Sequence, residues 1–155
     1  MDRWLTAGEG LGRAAGRGSV TYDIVEAVGD VTKQIAYWRE GSNEDWEVAQ
    51  ELLGKGRTRH ALFMAHLAIE KALKAHVCRH SKEPAPKMHA LLRLAKRTGL
   101  DLDVEREAFF AEFDRFQVEG RYPETLEPPL SRQEAGLQMA RAKGVWEWLI
   151  LRLSA

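Results

Sequence analysis

A single cysteine, Cys78, stands in 155 residues. It excludes an intramolecular disulfide and a zinc site built from several cysteines, and it suits a reducing compartment, so a cytoplasmic location is expected. Proline is just as scarce. Its five copies fall in two places, Pro84 with Pro86 and Pro123 with Pro128 and Pro129. The long stretches between carry no proline, as long helices require. No apolar run approaches the 18 residues of a membrane span, so no membrane association is expected. Net charge is lacking too: 23 Lys and Arg balance 23 Asp and Glu. A broadly basic nucleic-acid-binding surface is therefore excluded, although a local basic cleft is not.

What the chain does have is alanine and leucine. The 20 Ala and 18 Leu far outweigh the 19 Val, Ile and Thr combined, which favours helix over sheet. The chain reads as all-α, an antiparallel up-and-down bundle of four to five helices. Residues 1–20 differ from the rest: Gly8, Gly10, Gly12, Gly16 and Gly18 lie among Arg3, Arg13 and Arg17. They read as a flexible arm before a single domain over residues 21–155.

Periodicity predicts helix from Tyr22, broken or kinked at Gly41-Ser42-Asn43 and ending near Gly54. The stretch from Arg57 to His80 is the clearest helix. Ala61, Ala65, Ala68, Ala72 and Ala75 form a small-residue row beside Leu62, Ile69, Leu73 and Val77. Such a row admits close helix approach, and together with the Phe and Trp content it is offered to a second protomer. Residues 88–98 predict a short helix ended by Gly99. Val104 to Glu119 predicts another, and Gly120 to Pro129 a loop. Ser131 with Glu134 is a capping box for the last helix.

Candidate chemistry is sparse. Glu70, Lys71 and Lys74 share the second main helix. The Glu70–Lys74 spacing suits an exposed ion pair, and lysines bordering a cleft suit phosphate. His76 and His80 have an i,i+4 spacing used by zinc sites, but no third ligand accompanies them, so no metal or other cofactor is implied. His89 follows a proline-containing loop. Arg115 to Pro123 reads Arg-Phe-Gln-Val-Glu-Gly-Arg-Tyr-Pro. There Arg115 and Arg121 suit bidentate phosphate contacts and Tyr122 suits stacking on a base.

The run Ala61-Leu-Phe-Met-Ala-His-Leu-Ala-Ile-Glu-Lys-Ala-Leu-Lys-Ala75 resembles the signature helix of the HEPN domain. Met88-His89-Ala90-Leu91 is similar to that family's Thr-His-Asp-Leu segment, and Gly120-Arg121-Tyr122-Pro123-Glu124 to its Arg-Tyr-Pro-Asp segment. The resemblance spans about residues 35–153. It implies a helical bundle, usually a homodimer, associated with nucleotide or RNA binding. It also implies, in many members, a partner of the MNT nucleotidyltransferase kind in toxin–antitoxin pairs. Catalytic members are metal-independent endoribonucleases. They use an Arg and a His four to six residues apart, with a Tyr two positions after the His in one toxin branch. Here Arg115 and Tyr122 fit that branch, but Gly120 occupies the His position, and glycine cannot serve as acid or base. Ala90 replaces the Asp that would adjoin His89. The resemblance therefore implies a non-catalytic protein that binds nucleotide or RNA through Lys71, Lys74, His89, Arg115, Arg121 and Tyr122. Two alternatives accompany it. One is a ribonuclease using Arg115, His89 and Tyr122, and the other is a structural partner-binding subunit.

Overall fold

The first helix, α1, runs without interruption from Val20 to Gly54. Its local breakers are overruled by tertiary contacts. Gly41 leaves room for Lys71, whose side chain would lie 3.2 Å from a Cβ there. Ser42 is fully buried and donates its hydroxyl to the Ala68 carbonyl at 2.6 Å. Trp146 in turn donates its indole N–H to the Ser42 oxygen at 3.0 Å and stacks on Trp46, with ring centroids 4.9 Å apart. A hydroxyl that would favour a break in isolation instead joins three helices. This computed structural model describes residues 20–122, 128 and 130–155, with side chains from Asp30 onward. The arm expected over residues 1–20 lies outside them except for Val20, as do Pro123, Glu124 and Pro129.

Among the described residues five further helices follow: α2 at Thr58–Ser81, α3 at Leu91–Ala95, α4 at Val104–Phe113, α5 at Arg115–Arg121 and α6 at Arg132–Leu153. Only Asp114 separates α4 from α5, and with those two counted together the described residues hold five helices, within the expected four to five. No strand occurs among the described residues. The path is up and down. Gly56, with φ of +72°, turns the chain between α1 and α2, a conformation glycine adopts at little cost. α5 runs back along α2, pairing Asp114 with His66 and Gly120 with Phe63. α6 then lies parallel to α2, with Leu149 beside His76 and Arg152 beside Arg79.

Local signals set the helix ends. Asp103 accepts the Arg106 N–H at 2.7 Å and starts α4. Ser131 and Glu134 form the expected capping box. α3 is shorter than expected because residues 96–98 continue as separate turns before Gly99, which also has φ of +72°. α5 is longer than expected: Gly120 and Arg121 remain helical, since Gly120 packs directly on the Phe63 ring.

The alanine row of α2 is wholly buried within this one chain, and so are Phe109, Phe110, Phe113 and Phe116. These residues fill the bundle itself and are not left over for a second protomer, which corrects the expectation drawn from them. Truncation of a buried Phe to Ala typically costs about 3–5 kcal/mol, so the phenylalanine cluster is a major part of what holds α4 and α5 in place.

His76 joins α2 to α6 by donating its Nε2–H to the Leu149 carbonyl at 2.9 Å. Burial pushes its pKa below the ordinary 6.5. The Leu149 bond opposes that shift, while the charges of Arg79 and Arg152 add to it. The unfolded chain therefore binds this proton at higher pH than the folded one. The His76 contribution to stability is intact above about 6.5 and is lost as pH falls below it. Urea unfolding at pH 8 and pH 5 should show this loss, and His76→Gln should remove most of the difference.

Candidate functional site

The α2 helix is the spine of the site. Arg59, Phe63, His66 and Glu70 recur every three or four residues and so share one face. Phe63 and His66 meet α5, and Glu70 meets the segment leading into α3.

Glu70 is only 3% exposed, and Lys74 only 6%. The pair expected on a solvated face is therefore buried. Glu70 Oε1 accepts from Lys74 Nζ at 2.8 Å and from His89 Nδ1 at 3.0 Å. The Lys74 ammonium also lies 5.0 Å from the centre of the Trp38 ring. A buried charge pair of this kind persists only when each partner is well bonded. The bond from His89 uses Nδ1 and so leaves Nε2 for another partner. The His89 side chain is 48% exposed. His89 thus has a carboxylate partner in Glu70, although position 90 is alanine.

A second imidazole lies one turn along α2. His66 is buried and places Nε2 3.0 Å from Asp114 Oδ1. That same carboxylate oxygen accepts the Leu91 N–H at 3.0 Å. The Nδ1 of His66 stands 3.9 Å from Glu70 Oε2, which has no hydrogen-bond partner among the described residues. His89, Glu70, His66 and Asp114 therefore form one chain of polar groups beneath the surface.

Arg115 follows Asp114 directly. Its Nε lies 3.2 Å from Glu119 Oε1 and its guanidinium lies over the Phe116 ring. The Arg121 guanidinium lies 5.6 Å from the centre of the Phe63 ring. Tyr122 is 56% exposed. Three of the expected residues are thus tied to α2: His89 bonds Glu70, Arg115 follows the Asp114 that meets His66, and the Arg121 guanidinium lies beside Phe63, with Tyr122 next in the chain. The other two turn toward α1. Lys71 is ion-paired to Asp45 at 2.6 Å, and Lys74 lies between Glu70 and Trp38. In the sequence, Arg59 and His66 have the numerical spacing of the catalytic Arg–His pair, but on the signature helix that match reads as coincidence, and Asp114 is not singled out. Asp114 was concealed inside what read as one continuous helix.

The model of the HEPN domain matches residues 35–153. The chain belongs to the HEPN family. Among solved structures, the HEPN chain is similar to the crystal structure of TT1696 from Thermus thermophilus. The TM-score is 0.67 at 22% identity, over 77% of this chain and 98% of that one. At that identity the likeness establishes the shared fold alone. A comparison with curated proteins finds no match. No helix among the described residues is long and apolar enough to cross a membrane.

Proposed function

We propose that this HEPN protein binds a nucleotide or an RNA phosphate along the side of α2 marked by His89, Arg115, Arg121 and Tyr122, without cleaving it. The reading includes a cytoplasmic homodimer with this cleft at or near its interface, and an MNT-type nucleotidyltransferase as partner in a toxin–antitoxin pair. The observation that carries the binding reading is the Glu70–His89 bond at 3.0 Å. It holds an imidazole in one orientation, with Nε2 left for a ligand, one turn of α2 from the His66–Asp114 contact that Arg115 follows in the chain. In this reading Arg115 and Arg121 contact phosphate and Tyr122 stacks. Lys74 neutralises Glu70, while the Lys71 charge is offset by Asp45 on the α1 side.

Fluorescence anisotropy with a labelled single-stranded RNA in EDTA tests this. Binding should be saturable and should weaken with salt. Arg115→Ala with Arg121→Ala should reduce affinity by about 10- to 100-fold, the equivalent of one or two charge-assisted contacts. Lys143→Ala, on the outside of α6, should leave it unchanged. Absence of binding at low salt would reject the reading.

One observation favours a second reading. A histidine held by a buried carboxylate is an arrangement suited to general base catalysis, and His89 has it. In a ribonuclease, His89 would take the 2′-hydroxyl proton and Arg115 would steady the charged phosphorane. Gel analysis of the same RNA separates the two: cleavage in EDTA that disappears in both His89→Ala and Arg115→Ala would establish the enzyme.

A further inference from the structure

The α2 helix ends in basic residues that the site above does not use. Arg79 and His80 occupy its last turn, and Lys82 caps it in the left-handed region with φ of 60°. Opposite them, Thr98, Gly99 and Leu100 close a cleft of about 360 Å³, with buried His76 in its wall. The lining contains no carboxylate. Among the described residues, no Asp or Glu is ion-paired with Arg79, His80 or Lys82.

Cations are common near helix C-termini because they offset unpaired carbonyls. That explanation covers only part of this cluster. The Val77 carbonyl is bonded by the Ser81 hydroxyl and the Cys78 carbonyl by the Lys82 N–H. Arg79 does cap a carbonyl, donating Nη1–H to Arg152 at 2.7 Å. The bond fixes its guanidinium at the cleft, and its other N–H groups have no protein partner among the described residues. His80 packs against Gly99, where a Cβ would stand 2.4 Å from the ring Nδ1. Glycine is needed there both for its φ of +72° and for this close approach. The effect is a guanidinium, an imidazole and an ammonium around one concavity without a counter-charge. The pKa of His76 is lowered chiefly by burial, and the Arg79 and Arg152 charges add to that shift.

We propose that this cleft is an anion site for a phosphate dianion, carried by inorganic phosphate or by a small phosphate monoester. Its volume falls at the lower end of small-ligand pockets, so a phosphate with a small attached group fits the space better than phosphate alone. Arg79 supplies a fork for two oxygens, while His80 and Lys82 supply single donors. The site is independent of the edge bearing His89 and Arg115.

Histidine NMR of the full chain at pH 7 provides the test, with inorganic phosphate and ribose 5-phosphate as separate titrants. The His76 and His80 ring signals should shift and saturate, with half-saturation near about 1 mM, as two or three exposed charge-assisted contacts imply. His60, exposed at the opposite end of α2 and part of neither site, serves as the internal reference and should move less. Arg79→Gln with Lys82→Gly should weaken binding about 10-fold or more. Lys82→Gly also relieves the positive φ, so it removes a charge without threatening the fold. Lys143→Gln should bind as the wild type does. Tighter binding of ribose 5-phosphate identifies the monoester as the ligand, and equal affinity identifies phosphate itself. Failure of both signals to saturate by about 20 mM, far weaker than this cluster implies, would overturn the assignment, as would unchanged binding in the double variant.

Discussion

Glu70→Ala should destabilise the protein by about 3–5 kcal/mol, the usual cost of breaking a buried ion pair from one side. The substitution removes the carboxylate bonded to Lys74 and leaves a buried ammonium with only the Trp38 face beside it. Domain stabilities are about 5–15 kcal/mol in all, so the loss is large enough to bring unfolding near physiological temperature. Glu70→Leu with Lys74→Met removes both charges together. Replacing a whole buried pair by apolar groups is often neutral, so the double variant should recover most of the loss. Urea unfolding at pH 7 measures both. A loss below about 1 kcal/mol in Glu70→Ala would show that Lys74 reaches water and that the pair behaves as a surface one. The double variant also separates folding from function, because His89 loses its anchor while the bundle keeps its shape. On the binding reading, RNA affinity should fall in a protein of near-normal stability.

What the sequence disclosed was mostly local. The all-α class and the Ser131–Glu134 box follow from residue types within a few positions of one another. The resemblance to HEPN rested on three short motifs and agrees with the matched span of residues 35–153. Features decided by distant residues were not visible. Gly41-Ser42-Asn43 reads as a break, and only contacts with Lys71, Ala68 and Trp146 keep α1 whole. The Glu70–Lys74 spacing is identical for a solvated pair and a buried one. What decides between them is Trp38 and His89, contributed by two other segments. The Asp114–His66 contact links α2 to the α4–α5 junction across 48 positions, and no periodicity within either helix encodes it.

The largest change in activity is expected from a pair of substitutions at Gly120 and Phe63. Catalytic relatives place a histidine where this chain has glycine, and the general acid–base help of such a group is typically worth about 10²–10⁴-fold. Gly120→His alone should not restore it. The obstacle is steric: a Cβ at 120 would lie 2.4 Å from Phe63 Cδ2 and 2.9 Å from Phe63 Cβ. Gly120 is helical and is not among the described glycines with positive φ, so backbone strain is not the issue. Forcing a side chain into a packed site costs about 1–3 kcal/mol, more than the gain of about 1 kcal/mol from replacing a helical glycine. The single variant should therefore melt below the wild type and remain inactive. Phe63→Ala removes the ring and opens the space. Gly120→His with Phe63→Ala should regain part of the lost stability and place an imidazole five residues beyond Arg115. Metal-independent RNA cleavage in EDTA should then rise by about 10²-fold or more over the wild type, and Arg115→Ala should abolish it. The non-additivity of the two changes, in both melting temperature and rate, measures how strongly Phe63 guards this position. Equal rates in wild type and double variant, with the double variant folded, would show that the groups around Arg115 are not arranged for that chemistry. Restoring the histidine would then be insufficient, and RNA binding without cleavage would be the role to which this geometry is suited.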